Sequence, residues 1–148
     1  MARRSLYIII VGCGRLGSYL ANNLSGSGHS VVVIDKEETA FDSLSSAYSG
    51  FRITGDATEF DVLKQIKMDK ADLVIATTQE DNLNLMIAQI AKNLFNVPKV
   101  MARVLDPNRE KIYRDFDIET ICPTTYAGDL FLESIIVSFK IKVEGSSS

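Results

Sequence analysis

A chain of 148 residues, 46% hydrophobic, 24% charged and 8% aromatic, has the size and make-up of one ordinary globular domain with one core. With 16 Lys and Arg against 19 Asp and Glu the net charge is −3, which argues against a dedicated nucleic-acid binder. No apolar run is long enough to span a bilayer, Met1-Ala2-Arg3-Arg4 leads straight into a strand-like stretch with no room for a signal peptide, and Cys13 and Cys122 form neither a CxxC pair nor a disulfide framework, so a reduced, cytoplasmic setting is expected.

Short β-branched runs alternate with helical patterns. The first run, Leu6-Tyr7-Ile8-Ile9-Ile10-Val11, is apolar on both faces, as an inner parallel strand requires. Leu16, Leu20 and Leu24 then recur every four residues, and Gly26 and Gly28 end that helix. Val31-Val32-Val33-Ile34 makes a second strand that stops at Asp35. Phe41, Leu44 and Tyr48 outline a second helix closed by Gly50, and Phe51-Arg52-Ile53-Thr54 is a short third strand before Gly55-Asp56.

The second half repeats the scheme. Thr58 reads as the N-cap of a helix carrying Val62, Leu63 and Ile66, and Asp72-Leu73-Val74-Ile75-Ala76 is strand four. Leu83, Met86, Ile87, Ile90 and Leu94 fall on one helical face. Strand five lies within residues 97–104. Asp106-Pro107 pairs a capping residue with proline at the first helical position, and residues 116–121 form strand six. The last helix, from about Thr124, carries Tyr126, Leu130, Phe131, Leu132, Ile135, Ile136 and Val137. That is too broad for one apolar stripe, so a second face wants a partner outside the domain.

Six strands alternating with six helices predict an α/β, Rossmann-type doubly wound parallel sheet of order 3-2-1-4-5-6 with helices on both faces. One domain fills residues 1–137, and residues 138–148 form a short tail whose polar end, Glu144-Gly145-Ser146-Ser147-Ser148, is expected to fray.

Gly12-Cys13-Gly14-Arg15-Leu16-Gly17 is a GxGxxG placed directly after strand one and opening a helix. In that context each glycine has a physical role, Gly12 in the turn, Gly14 in the close approach of a phosphate, and Gly17 in helix–strand packing. The helix N-terminus offers unpaired N–H groups and a partial positive charge. The plain alternative is a glycine-rich turn without a ligand. Asp35 ends strand two, 18 residues beyond Gly17, where a carboxylate accepts ribose hydroxyls and repels a 2′-phosphate; it can also cap the Lys36-Glu37-Glu38 turn.

The remaining strand ends should ring the same crevice. Asp56 and Ala57 are placed to border an adenine ring, Thr77 and Thr78 to reach ribose or phosphate, and Arg103 to meet a terminal phosphate. Two alternatives stand beside these: Thr77 with Glu80 fits a capping box, and Arg103 fits an ion pair with a surface acid. The single histidine, His29, belongs to the turn at the opposite end of the sheet and reads as structural. Cys13 lacks a partner base and Cys122 reads as buried. No ligand spacing for a transition metal is present.

Ile8-Ile9-Ile10-Val11-Gly12-Cys13-Gly14-Arg15-Leu16-Gly17, Val32-Val33-Ile34-Asp35, Gly55-Asp56-Ala57-Thr58 and Ala76-Thr77-Thr78-Gln79-Glu80-Asp81-Asn82 together resemble the TrkA N-terminal domain, the nucleotide-binding half of RCK (KTN) regulators of potassium channels and transporters. The likeness covers roughly residues 6–137. The arginine after the second glycine and the GDAT element separate it from common dehydrogenases.

The resemblance implies a non-enzymatic cytoplasmic subunit, peripheral to the inner membrane, that assembles into a homo- or hetero-oligomeric ring beneath a potassium channel or transporter. It implies an adenine nucleotide, AMP, ADP, ATP or NAD(H), whose binding shifts the ring between conformations. Mapped by motif, Gly12, Cys13, Gly14, Arg15, Leu16 and Gly17 surround the phosphate, with Arg15 reaching toward a neighbour's ligand. Asp35 and Lys36 lie at the ribose, Asp56 and Ala57 flank adenine, and Thr77, Thr78 and Arg103 close the pocket. The helix over residues 124–139 would cross to a neighbouring subunit. RCK proteins usually continue into a second ligand-binding domain that this sequence does not contain, so a second RCK subunit is one expected partner. The rival reading is the cofactor-binding subunit of an NAD-dependent oxidoreductase.

Overall fold

In β1 (Tyr7–Val11) successive side chains alternate between two buried faces. Ile9 and Val11 join Val32, Ile34, Val74 and Ala76 in one core, while Ile8 and Ile10 join Val31 and Val33 in the other. The structure is a computed structural model describing residues 4–145; Met1-Ala2-Arg3 and the terminal Ser146-Ser147-Ser148 lie outside the described residues. β2 (Ser30–Asp35), β3 (Phe51–Thr54), β4 (Leu73–Ala76), β5 (Lys99–Arg103) and β6 (Glu119–Ile121) complete one six-stranded sheet. Every pairing is parallel and the order is β3-β2-β1-β4-β5-β6, as the sequence predicts. Ile9 sits between Val32 and Val74, so the chain leaves β1 toward β2 on one side and returns to β4 on the other.

Small residues bring the first helix close to the sheet. α1 (Arg15–Gly26) buries Gly17, Ser18, Ala21 and Ser25, with Leu20 and Leu24 packed at the edge of the second core. The helix expected around Phe41, Leu44 and Tyr48 is instead a 3₁₀ turn (Glu38–Ser43) followed by irregular chain. Local polar bonds win here. Ser45 Oγ accepts the Ala47 N–H at 3.1 Å, Asn22 Oδ1 accepts the Ser45 N–H at 2.9 Å, and the Tyr48 hydroxyl donates to the Val31 and Phe51 carbonyls.

α2 (Phe60–Gln65) begins one residue later than expected, with Glu59 at the N-cap position in place of Thr58; the Thr58 hydroxyl donates to Asp56 Oδ1 at 2.6 Å. α3 (Asp81–Gln89) buries Asn84, Ile87 and Ala88 and then widens into a π turn (Ile90–Leu94), with the Phe95 N–H donating to the Ile90 carbonyl at 3.2 Å. That extra residue shifts the helical face. Leu94 turns out to solvent, and Ala91 and Phe95 are buried in its place, Phe95 stacking on Phe60 at 5.2 Å.

Asp106 starts the next helical segment as expected: its carboxylate accepts the Asn108 N–H at 3.0 Å, Pro107 follows, and a 3₁₀ turn (Pro107–Arg109) runs into α4 (Glu110–Asp115). β6 is shorter than expected because Asp117 adopts φ 56° and only Ile118 of the preceding residues is buried. α5 (Pro123–Phe139) has no buried residue. Among the described residues no helix is long and apolar enough to cross a membrane.

Candidate functional site

The strands all end on one side of the sheet, and a cleft of about 380 Å³ opens there beside the β1–α1 turn. It lies where the chain's direction of travel from β1 reverses, the place an open α/β sheet offers a ligand. Of the expected site residues, Gly12, Gly14, Asp35, Lys36, Asp56, Ala57, Thr77 and Thr78 line it.

The turn is built from backbone. Gly12 takes φ +100°, a region that favours glycine, and a Cβ there would stand 3.0 Å from the backbone of Thr77 and Thr78. At Gly17 a Cβ would lie 1.9 Å from the Gly12 carbonyl oxygen, so this glycine sets how closely α1 approaches the turn. Gly14 differs. It precedes α1 in an extended conformation, no side chain caps the helix, and the nearest atom to a Cβ there would be Gln79 Nε2 at 3.7 Å. The first-turn N–H groups of a 12-residue helix therefore face an open cradle that any side chain at Gly14 would begin to fill, which fits a phosphate.

Asp35 is held by the backbone on both oxygens. Oδ2 accepts the Cys13 N–H at 2.8 Å and Oδ1 the Glu37 N–H at 2.9 Å, so the carboxylate ties the glycine turn to the end of β2. A carboxylate has about four acceptor sites, which leaves lone pairs for ligand hydroxyls. Asp56 Oδ1 accepts both the hydroxyl and the N–H of Thr58, and Oδ2 lies 3.7 Å from Lys36 Nζ. These bonds, with a smaller contribution from the lysine charge, hold the Asp56 carboxyl below its ordinary range.

The opposite wall hangs on a residue that sequence reasoning missed. Asn84 is fully buried; its Oδ1 accepts the N–H and hydroxyl of Thr78, and its Nδ2 donates to the carbonyls of Thr78 and Arg103. Thr77 is buried too, its hydroxyl donates to the carbonyls of Val11 and Gly12, and no side chain accepts an N–H at the start of α3. The Thr77–Glu80 capping box is therefore absent. Arg103 lies outside the cleft lining and donates to the Thr77 carbonyl at 3.2 Å, in place of a surface acid.

The other expected residues of the turn point elsewhere. The Cys13 side chain enters the second core, and burial, then the nearby Asp35 carboxylate, push its thiol up to about 11. Arg15 is exposed outside the lining, and Leu16 is half-buried. His29 Nδ1 accepts the Leu6 N–H at 3.1 Å at the far end of β1, and Cys122 is buried at the start of α5. Ile34, Ala40, Leu83 and Ile87 give the cleft its apolar walls, Gln79 Nε2 stands over Gly14, and Glu80 lines the same cleft. Ile34 and Gln79 adjoin residues whose motifs are visible in the sequence; Ala40 and Ile87 carry no local signal.

Comparison with known proteins agrees with this architecture. The chain is 36% identical over 133 residues to the Trk system potassium uptake protein TrkA of Streptomyces coelicolor and 33% identical over 140 residues to a TrkA homolog of Pyrococcus abyssi. Those alignments cover 90% and 88% of this chain, and the chain spans about 60% of the length of each relative. Among solved structures, the TrkA-N domain of the inner membrane protein ybaL from Escherichia coli superposes with a TM-score of 0.77 at 19% identity, over 90% of this chain and 99% of that one. The Shewanella denitrificans Kef CTD in AMP-bound form gives 0.75 at 20%, over 90% and 82%, and the GsuK channel bound to NAD gives 0.76 at 20%, over 95% and 24%. The model of the TrkA-N domain matches residues 8–123, from the first isoleucine of β1 to the proline that opens α5, and the chain belongs to that family.

Proposed function

We propose that the cleft binds an adenine nucleotide and that the chain is the nucleotide-sensing part of a potassium-transport regulator. The observation that carries this reading is the backbone cradle at Gly14, bounded by Asp35 on one side and Thr77 and Thr78 on the other. The phosphate takes the first-turn N–H groups of α1, the ribose hydroxyls donate to Asp35, and the adenine lies by Asp56 and Ala57. Support from relatives is of the same kind: the Kef domain carries AMP, the GsuK channel NAD, and the similar curated proteins are named for potassium uptake.

The site senses and does not turn over its ligand. His29 is committed to the far end of the sheet, and Cys13 is buried with a raised pKa, so neither is poised as a base or nucleophile at the cleft. α5 docks on a second copy, in a ring at the cytoplasmic face of a membrane partner, with Arg15 directed at a neighbour's ligand. Leu130, Phe131, Val137 and Phe139 are each 66% exposed or more, and burying one such side chain contributes about 2 kcal/mol. Ligand binding acts by preferring one conformation of the ring.

A thermal-shift panel of AMP, ADP, ATP, NAD and NADH tests the reading. A ligand that binds only the folded chain at about 100 times its Kd adds about 2.7 kcal/mol of stability. No shift with any of the five refutes the site, and turnover of NAD with a candidate substrate refutes the sensing role.

A further inference from the structure

α4 is a helix of six residues that meets both the wall of the cleft and the root of α5. The first turn of α3 supplies Leu83 to the cleft, with Glu80 just ahead of it, and that turn is bonded to the segment around α4 at several points. The Asp81 carboxylate accepts the N–H groups of Leu105 and Asp106 at 2.6 and 3.0 Å, and Arg109 donates to Asn82 Oδ1 at 2.5 Å. From within α4 the buried Tyr113 hydroxyl donates to the Asp81 carbonyl. Burial, then the Asp81 charge, push this phenol up to about 12, so it stays a donor at neutral pH. Three residues earlier, Glu110 Oε1 accepts the Thr125 hydroxyl at 2.7 Å, and the Glu110 side chain is only 20% exposed. A hydroxyl on a carboxylate is a strong, directional bond. It acts on the first turn of a 17-residue helix that has no buried residue, so it weighs heavily in setting that helix's direction.

We infer that α4 is a coupling strut: the position of the first turn of α3, set by what fills the cleft, passes through Tyr113 and Glu110 to Thr125 and fixes the direction in which α5 leaves the domain. This rests on the nucleotide-site and α5 readings above. The backbone also joins the two regions through β5 and β6, but β5 is paired along both edges inside the sheet and yields less than a short helix at the surface. Coupling of this kind is reciprocal, so a nucleotide that moves α5 changes how strongly the chain associates.

Sedimentation of the whole chain with and without saturating AMP or NAD tests the strut. In the parent the association constant should change at least about 5-fold on adding nucleotide. Thr125→Val keeps the side chain's shape and removes the hydroxyl; the change should fall below about 2-fold, while nucleotide affinity at concentrations where only monomer is present stays within about 2-fold of the parent. Thr125→Ser and Glu110→Gln keep a donor and an acceptor in place and should retain the full change, and nucleotide binding in the same samples reports that each variant folds. A full nucleotide effect in Thr125→Val, an equal loss in Thr125→Ser, or a parent whose association ignores bound nucleotide overturns the strut and leaves the nucleotide site standing. Absence of binding by AMP and NAD overturns the site itself, and a parent that never associates overturns the α5 reading; the strut falls with either.

Discussion

Asn84 grips Thr78 from both sides, accepting its N–H at 2.9 Å and its hydroxyl at 2.6 Å while donating to its carbonyl at 3.1 Å. The remaining Nδ2 hydrogen reaches the Arg103 carbonyl at 3.0 Å, so one buried amide fixes the strip after β4 to the end of β5. Asn84→Leu keeps similar volume but orphans these groups. A loss of about 3 kcal/mol is expected, read as a fall in Tm on the order of 10 °C, together with weaker nucleotide binding.

Gly14 and Gly17 separate binding from folding. Gly14 has an extended backbone and open space, so Gly14→Asp folds, yet it sets a carboxylate in the phosphate cradle. Nucleotide affinity should fall more than about 10-fold with little change in denaturation midpoint. Gly17→Ala drives a methyl into the Gly12 carbonyl and should cost about 3 kcal/mol or more in urea unfolding. Equal effects of the two substitutions on stability would refute the division.

The Asp56 turn gives a pH signature. Its carboxyl titrates lower in the folded chain than in the unfolded one, so the stability it contributes is present above the ordinary carboxylate pKa and is lost as pH falls through the lowered folded value. Asp56→Asn should therefore destabilise the chain at about pH 6, and the difference from the parent should vanish in strong acid, below the folded pKa. Urea midpoints across that range decide it.

Cys13 should resist alkylation. Its thiol is buried and shifted up to about 11, so at neutral pH iodoacetamide reaches it only through opening of the second core. Mass spectrometry should find modification rising with denaturant in step with unfolding. Fast labelling of Cys13 in the native chain would contradict its placement.

Helix α5 should control association. Phe131→Asp and Leu130→Asp place charge on its exposed apolar surface and should shift sedimentation toward monomer at micromolar concentration without lowering the monomer's own helical content. A parent chain that sediments only as monomer would refute α5 as the contact.

The sheet and the glycine turn were legible because their signals are local. Six apolar residues before GxGxxG, and Asp35 at the end of a valine run, say where a strand stops and what lies beside it. The segment around Tyr48 was not legible, since its helical spacing competes with Ser45, Asn22 and Val31 bonds that exist only after folding. Thr77 failed for a related reason: a hydroxyl that suits a capping box finds the Val11 and Gly12 carbonyls across 66 and 65 residues of sequence. Asn84 carries no signal of its own in the sequence, because one of its partners, Arg103, lies a strand away.

The root of α5 is Pro123, two residues past Ile121, whose carbonyl accepts the Val104 N–H at 3.0 Å just beyond Arg103. From there 17 helical residues run about 25 Å with none of them buried, tied to the domain near the root by the Thr125 hydroxyl on Glu110 Oε1 at 2.7 Å. Such a helix is a lever with its fulcrum at the rim of the sheet that holds the cleft. A tilt of about one degree at Pro123 moves Phe139 by about 0.4 Å, so a displacement too small to disturb the sheet is magnified at the far tip.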